Sequence, residues 1–434
     1  YVIKGARQDN VAFDSDETYA IKTVTEKYGL DATDFYVANP DEKTTDSHIY
    51  FTSTDNGKKI ITTKLKTDPI RVEEAATGQE TYYKTYADAL DYLKDKSGVC
   101  TITNLVEREF TDKDAKALQD FDNGDAKLIF SSGTRNDTID DGRYRVRVRK
   151  QVLQLPANVS VTFKNIVLKY AQGTQSEVDK SHKDQNLYFV KNGGSLTFGE
   201  KVSFLAGDKD ETGFAWVFGG ITDQNCTDDV NITINSGTFT SVYGGGHSNG
   251  THSGAATITI NGTVKIKDTL SGGNISKFER TKGEKKSIIT INSPLEVPNI
   301  YDYDELTIGA KVTVSQNLNS ERTPDYGGVT ILNGGSELVL SGAEKGHTRK
   351  MGRLKLDDNA KANAKLSFAR KPSNPADGPS VIADKNPVVL TKEDPLYMKD
   401  TNANKTNRIE VGYSSKNPAV GDIVFHLSGV TAGN

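Results

Sequence analysis

The sequence predicts an all-β chain built as a stacked parallel β-helix, and three observations predict it. A strand, glycine turn, strand pattern recurs at least five times, the strands alternate β-branched with short polar residues, and Gly or Asn-Gly closes the copies. The copies are Leu196-Thr197-Phe198-Gly199 before Val202-Ser203-Phe204, Ile232-Thr233-Ile234-Asn235-Ser236-Gly237 before Phe239, and Ile258-Thr259-Ile260-Asn261-Gly262 before Val264-Lys265-Ile266. Two more are Leu306-Thr307-Ile308-Gly309 before Val312-Thr313-Val314, and Val329-Thr330-Ile331 with Asn333-Gly334-Gly335 before Leu338-Val339-Leu340. They begin roughly 18–36 residues apart, the spacing of repeat units that bury an apolar face only against their neighbours. One-sided alternation, as in Val230-Asn231-Ile232-Thr233-Ile234, puts isoleucines in a core and polar residues in water. A β-sandwich is the alternative, since regularly spaced strands also fit it.

Taken in order, residues 1–81 form an N-terminal module of different pattern. Ser15 to Tyr28 carry a short helix signal with spaced Tyr19, Ile21, Val24 and Tyr28. His48–Thr52 and Lys59–Thr63 flank Asp55-Asn56-Gly57, a hairpin signal because Asn-Gly tolerates the positive φ of a type I′ turn. Residues 82–96 predict a capping helix, with Tyr86, Ala89, Leu90 and Leu93 on one face and Thr85 as N-cap. A helix laid across the first coil hides its apolar end and unpaired edge. The solenoid then runs over 82–370. Pro294 and Pro298 remove ladder donors and place the copy at Ile288–Asn292 beside a bend. The Asn-Gly pairs Asn192-Gly193, Asn261-Gly262 and Asn333-Gly334 are expected to stack at coil corners. Residues 371–434, Pro- and Asn-rich before strands at Arg408–Tyr413 and Asp422–Leu427, form a C-terminal cap.

Composition narrows the class. The 434 residues are 35% hydrophobic and 26% charged, with 39 Gly and a net charge of −4, which excludes coiled coils and collagen-like fibres. So small a net charge disfavours nucleic acid as a partner, and no apolar run reaches the ~20 residues of a membrane span. Cys100 and Cys226 show no zinc-like spacing and read as buried thiols. The residues give no metal or cofactor site. Because the chain starts at Tyr1 without a signal-like head, an export signal and wall anchor are expected outside it.

Three features could carry binding or chemistry. In Arg143-Tyr144-Arg145-Val146-Arg147-Val148-Arg149-Lys150, period two puts Arg143, Arg145, Arg147 and Arg149 on one face, a row along ~20 Å of strand. Such a row suits carboxylate or sulfate, as a site for an acidic glycan or acidic protein surface. Alternatively it is a solvated strand neutralised by Asp137, Asp140 and Asp141. Tyr243-Gly244-Gly245-Gly246-His247, with His252 beyond, reads as a mobile turn or, alternatively, as a metal or proton-shuttling site. Charged loops carry Asp208, Asp210, Glu211, Asp223, Asp228 and Asp229, then Lys277, Arg280, Lys282, Lys285 and Lys286. Paired carboxylates or a Lys or Arg base there could cleave polysaccharide, though charge alone mostly hydrates loops.

The helix at Thr85–Lys94, the strand-turn-strand copies and the Val230–Ile260 stretch with Val242-Tyr243-Gly244-Gly245-Gly246 together resemble right-handed parallel β-helix adhesins of Gram-positive bacterial surfaces. The resemblance covers roughly residues 82–370 and implies a monomeric, extracellular, wall-displayed protein that binds host fibronectin and plasminogen or plasmin. Many surface lysines suit lysine-binding pockets in such partners. The alternative class is a β-helix that binds or cleaves an acidic glycan as a lyase or hydrolase; no catalytic motif of the family can be carried over. Ligand-binding candidates are Arg143, Arg145, Arg147, Arg149, Asp223, Tyr243, His247, Arg280 and Lys282.

Overall fold

The computed structural model describes residues 2–3, 36–37, 48–55, 58–65, 68–133, 143–157, 159–171, 186–206, 211–220, 227–246, 254–273, 286–318, 328–341, 350–351, 353–369, 388–390, 408–413 and 423–428. They form an all-β structure with two helices among the described residues, α1 (Tyr86–Leu93) and α2 (Asp112–Gln119). The expected helix at Ser15–Tyr28 and the prolines after Lys371 lie outside the described residues. The chain divides into a first unit, Tyr1–Gln185 with Glu200–Gly213, and a second, Asn186–Gly199 with Phe214–Asn434. The copy at Leu196 is therefore split, Gly194–Phe198 belonging to the second unit and Val202–Ala206 to the first.

In the first unit, His48–Asp55 and Lys58–Leu65 pair antiparallel with Asp55 opposite Lys58, the register expected of a two-residue hairpin; Asn56 and Gly57 themselves lie outside the described residues. A second hairpin, Ile70–Glu74 with Gln79–Tyr83, pairs antiparallel with Gly98–Asn104. From there the pairing turns parallel: Gly98–Asn104, Ala126–Ser132 and Ser160–Phe163 form one ladder. Arg108–Phe110, Arg145–Val148, Ile166–Tyr170 and Val202–Ala206 form the other. Parallel pairing rules out the antiparallel sandwich alternative.

Helix α1 starts where the sequence expects, with Thr85 Oγ1 accepting from Asp88 N, and it buries Tyr86, Ala87, Ala89, Leu90 and Leu93. Tyr86 packs on Phe110 and Phe130, ring centroids 4.9 and 6.2 Å apart. Helix α2 is not anticipated above. Its signal is Thr111-Asp112-Lys113-Asp114, a capping box in which Thr111 and Asp114 bond reciprocally.

The second unit is organised by stacked columns. Leu196, Ile232, Ile258, Ile289, Leu306, Thr330 and Leu354 follow one another through parallel pairings, all buried. Phe198, Ile234, Ile260, Ile291, Ile308, Leu332 and Leu356 form the adjacent column, also buried. At about 1.5–3 kcal/mol for each fully buried large aliphatic side chain, these columns are the main source of cohesion. Outward between them run Thr197, Thr233, Thr259, Thr290 and Thr307. The one-sided alternation expected for Ile258 and Ile232 holds. The copy at Val329 is out of phase: Thr330 and Leu332 are buried while Val329 and Ile331 are half-exposed. Strand period is two, so a one-residue slip turns every side chain to the other face. Buried Thr330 is matched by the Tyr303 hydroxyl at 2.9 Å.

Of the asparagines expected to stack, Asn261 and Asn333 follow Ile260 and Leu332 of one column, whereas Asn192 does not. Asn261 Nδ2 donates to Asn235 Oδ1 at 3.1 Å, and Asn292 Nδ2 donates to Asn261 Oδ1 at 2.9 Å. Each directly follows the buried isoleucine of its rung, Ile234, Ile260 or Ile291, so the three occupy one corner; Asn192 follows Leu187–Lys191 in another ladder. Gly262 beside Asn261 has φ +65°, a value that β-carbon-bearing residues rarely adopt. Pro298 sits within Leu295–Tyr301 where the pairing with Lys311–Leu318 shifts register between Val297 and Asn299. A bulge there accommodates the missing donor. The last strands, Arg408–Tyr413 and Ile423–Ser428, pair antiparallel, where the sequence suggests strands at Arg408–Tyr413 and Asp422–Leu427.

Candidate functional site

The arginine strand lies in the first unit. Tyr144, Val146 and Val148 are buried, as period two requires. Arg143 is a correction to the expected row: it is 3% exposed. Its guanidinium donates to the carbonyls of Ile166 and Lys201 and, at 2.9 Å, to Ser203 Oγ. It therefore ties successive strands from within, satisfying the buried charge with oxygen acceptors.

The other three arginines face outward beside Arg108–Phe110, whose residues pair with Val146, Arg147 and Val148. Glu107 spans two of them, at 3.9 Å from Arg145 Nε and 3.2 Å from Arg147 Nη2. Glu109 holds Arg149 Nη2 through both oxygens, at 2.7 and 2.8 Å. Neutralisation by acidic neighbours thus comes from a Glu-x-Glu strand; Asp137, Asp140 and Asp141 lie outside the described residues. The signal for it is Glu107-Arg108-Glu109 in the period of Arg145-Val146-Arg147, legible only once the two strands are known to be adjacent. Arg145 is held close to the surface with a side chain 13% exposed, whereas Arg147 is 49% and Arg149 42% exposed. On the opposite side Lys169 pairs with Arg147.

Tyr243 belongs to the second unit, in a largely buried stack of aromatic rings. Tyr188 stacks on Trp216 at 5.8 Å and 0°, and Phe218 on Tyr243 at 5.4 Å and 3°. These rings spend their faces on one another, which parallel in-register strands ~4.8 Å apart allow. Burial pushes the Tyr243 hydroxyl up to about 12, opposed by hydrogen bonding to Ser241 and Thr269. Lys265 and Lys267 lie 5.8 and 5.4 Å from the centre of the Phe214 ring, within cation–π range.

The glycines after Tyr243 are a built corner where a mobile turn was one expectation. Gly219 N donates to Tyr243 O, Gly244 N to Ser271 O and Gly272 N to Tyr301 O, while Gly220 N reaches Gly245 O and Gly245 N reaches Gly273 O. A β-carbon on Gly244 would stand 2.7 Å from Ala256 Cβ and from Gly272 O. The recurring Phe218-Gly219-Gly220, Tyr243-Gly244-Gly245 and Ser271-Gly272-Gly273 is the sequence signal of this corner.

Asp223, His247, Arg280 and Lys282 lie outside the described residues. Of the remaining loop charges, Asp229 accepts from Ala255 N at 2.9 Å and so fixes a turn, while Glu211 and Lys286 are exposed. The arginine strand and Tyr243 fall in different units. Cys100 is a buried free thiol whose pKa burial raises. Among the described residues no three His, Cys, Asp or Glu side chains group as a metal site, and no helix is long and apolar enough to cross a membrane. No family model, characterised protein or solved structure matches the chain.

Proposed function

We propose that this chain is a right-handed parallel β-helix module displayed on a bacterial surface, acting as an adhesin for host matrix and plasma proteins such as fibronectin and plasminogen. The parallel ladders, stacked asparagines and glycine corner support the β-helix, and the handedness follows the strong preference of parallel crossovers. One observation carries the binding reading: Arg147 is half in water and is held at 3.2 Å by one oxygen of a Glu107 carboxylate that also reaches Arg145. An exposed cation of this kind is complemented by an acidic partner surface.

The test is binding of the full chain to immobilised fibronectin and plasminogen, with albumin as control. Saturable binding that Arg147→Ser weakens and added salt reduces is the expected result. Binding no stronger than to albumin would remove the host-protein reading.

A further inference from the structure

We propose that the outward face of Arg145–Lys150 is a docking strip for a linear sulfated polysaccharide, and that Glu107 is its built-in competitor. The inference rests on the surface-binding reading above and names the ligand chemistry of the same strand. Glu107 is shared: its two oxygens lie 3.9 Å from Arg145 and 3.2 Å from Arg147. One carboxylate serving two guanidiniums holds neither in the paired geometry that makes Arg–carboxylate contacts strong. Arg147 is the most exposed of the set. A sulfate arriving over Arg147 exchanges one anion for another.

The chemistry of the face is that of a polyanion contact: its valines Val146, Val148 and Val167 are buried, which leaves charged side chains outward. Lys150, next in sequence to Arg149, is exposed and adds a cation. Successive outward side chains on a strand are ~6.8 Å apart, which sets a row of guanidiniums along one line. Arginine is the side chain best matched to planar or tetrahedral oxyanions.

Heparin serves as the probe, measured against the full chain at several salt concentrations, with neutral dextran and poly-glutamate as comparisons. Glu107→Gln should bind heparin about fivefold tighter, the scale of one exposed ion pair removed from competition. Arg147→Ser should bind about fivefold or more weaker, with a salt dependence reduced by about one ion. Both variants should keep the parent melting temperature. Heparin binding that neither substitution changes overturns the proposal, as does binding of poly-glutamate without heparin. Heparin binding in a chain that ignores fibronectin and plasminogen leaves this inference standing while the host-protein reading falls.

Discussion

The carboxylate of Asp114 accepts the backbone N–H of Ala87, 27 residues away, at 2.8 Å. Its other oxygen accepts Thr111 N at 2.8 Å and Thr111 Oγ1 at 2.7 Å. Ala87 is in the first turn of α1 and Thr111 caps α2, so one 1%-exposed acid satisfies orphan donors at the starts of both helices. All three partners donate, and only an acceptor on both oxygens can meet them. Asp114→Asn should therefore cost about 1–3 kcal/mol and Asp114→Ala more, read by urea unfolding followed through far-ultraviolet circular dichroism. An Asn variant as stable as the parent would show that the link between the helices carries no energy.

The Tyr303–Thr330 pair allows a double-mutant cycle. Both side chains are buried and meet at 2.9 Å. Thr330→Val and Tyr303→Phe each remove this hydrogen bond from the remaining hydroxyl, each costing about 1–3 kcal/mol. The double variant removes both polar groups and should be less destabilised than the sum of the singles. Additive losses in the thermal or urea midpoints would mean that the hydroxyls do not depend on each other.

That pair also marks how far the sequence could be read. Isoleucine and threonine alternation identifies the strands at Ile232, Ile258, Ile289 and Leu306, because period two has a direct physical cause. In Val329-Thr330-Ile331 the same letters slip by one, and only the pairing of Thr330 with Leu306 shows it. Local pattern gives strand and periodicity, whereas phase depends on the neighbouring rung. Helix α1 is legible from its stripe and cap; α2 hides behind charged residues, its capping box being the one clear mark. The arginine row is half legible for the same reason. Alternation places Arg145 and Arg147 outward, but nothing local distinguishes Arg143, which turns inward because Ile166, Lys201 and Ser203 offer it acceptors.

Stability should depend on pH through Glu74. The Tyr92 hydroxyl and then the Lys96 ammonium hydrogen-bond to its carboxylate and hold it below the usual range. The folded chain thus binds this proton less readily than the unfolded one. Its stabilising contribution is complete above the ordinary glutamate range and is lost as pH falls through the lowered value. Tyr92→Phe removes the largest cause, so the gap in melting temperature between variant and parent should be widest near about pH 7 and narrow near about pH 3. A gap of constant size would assign the effect of Tyr92 to packing on Tyr83, 5.3 Å away, in place of the hydrogen bond.

Arg143 and Arg147, four residues apart in sequence, should respond in opposite ways to substitution. Arg143→Ala removes a buried donor from two carbonyls and Ser203 Oγ, and should destabilise by about 3–5 kcal/mol, the scale of breaking a buried charged network. Arg147→Ser removes one surface ion pair with Glu107 and should change stability by less than about 1 kcal/mol. Ligand binding should show the reverse order: at temperatures where both variants are folded, Arg143→Lys should retain affinity for an anionic ligand while Arg147→Ser loses it. If Arg143→Ala melted with the parent, the guanidinium would not be what holds Ile166 and Lys201 together; if Arg143→Lys lost binding as Arg147→Ser does, the two would act as one row after all.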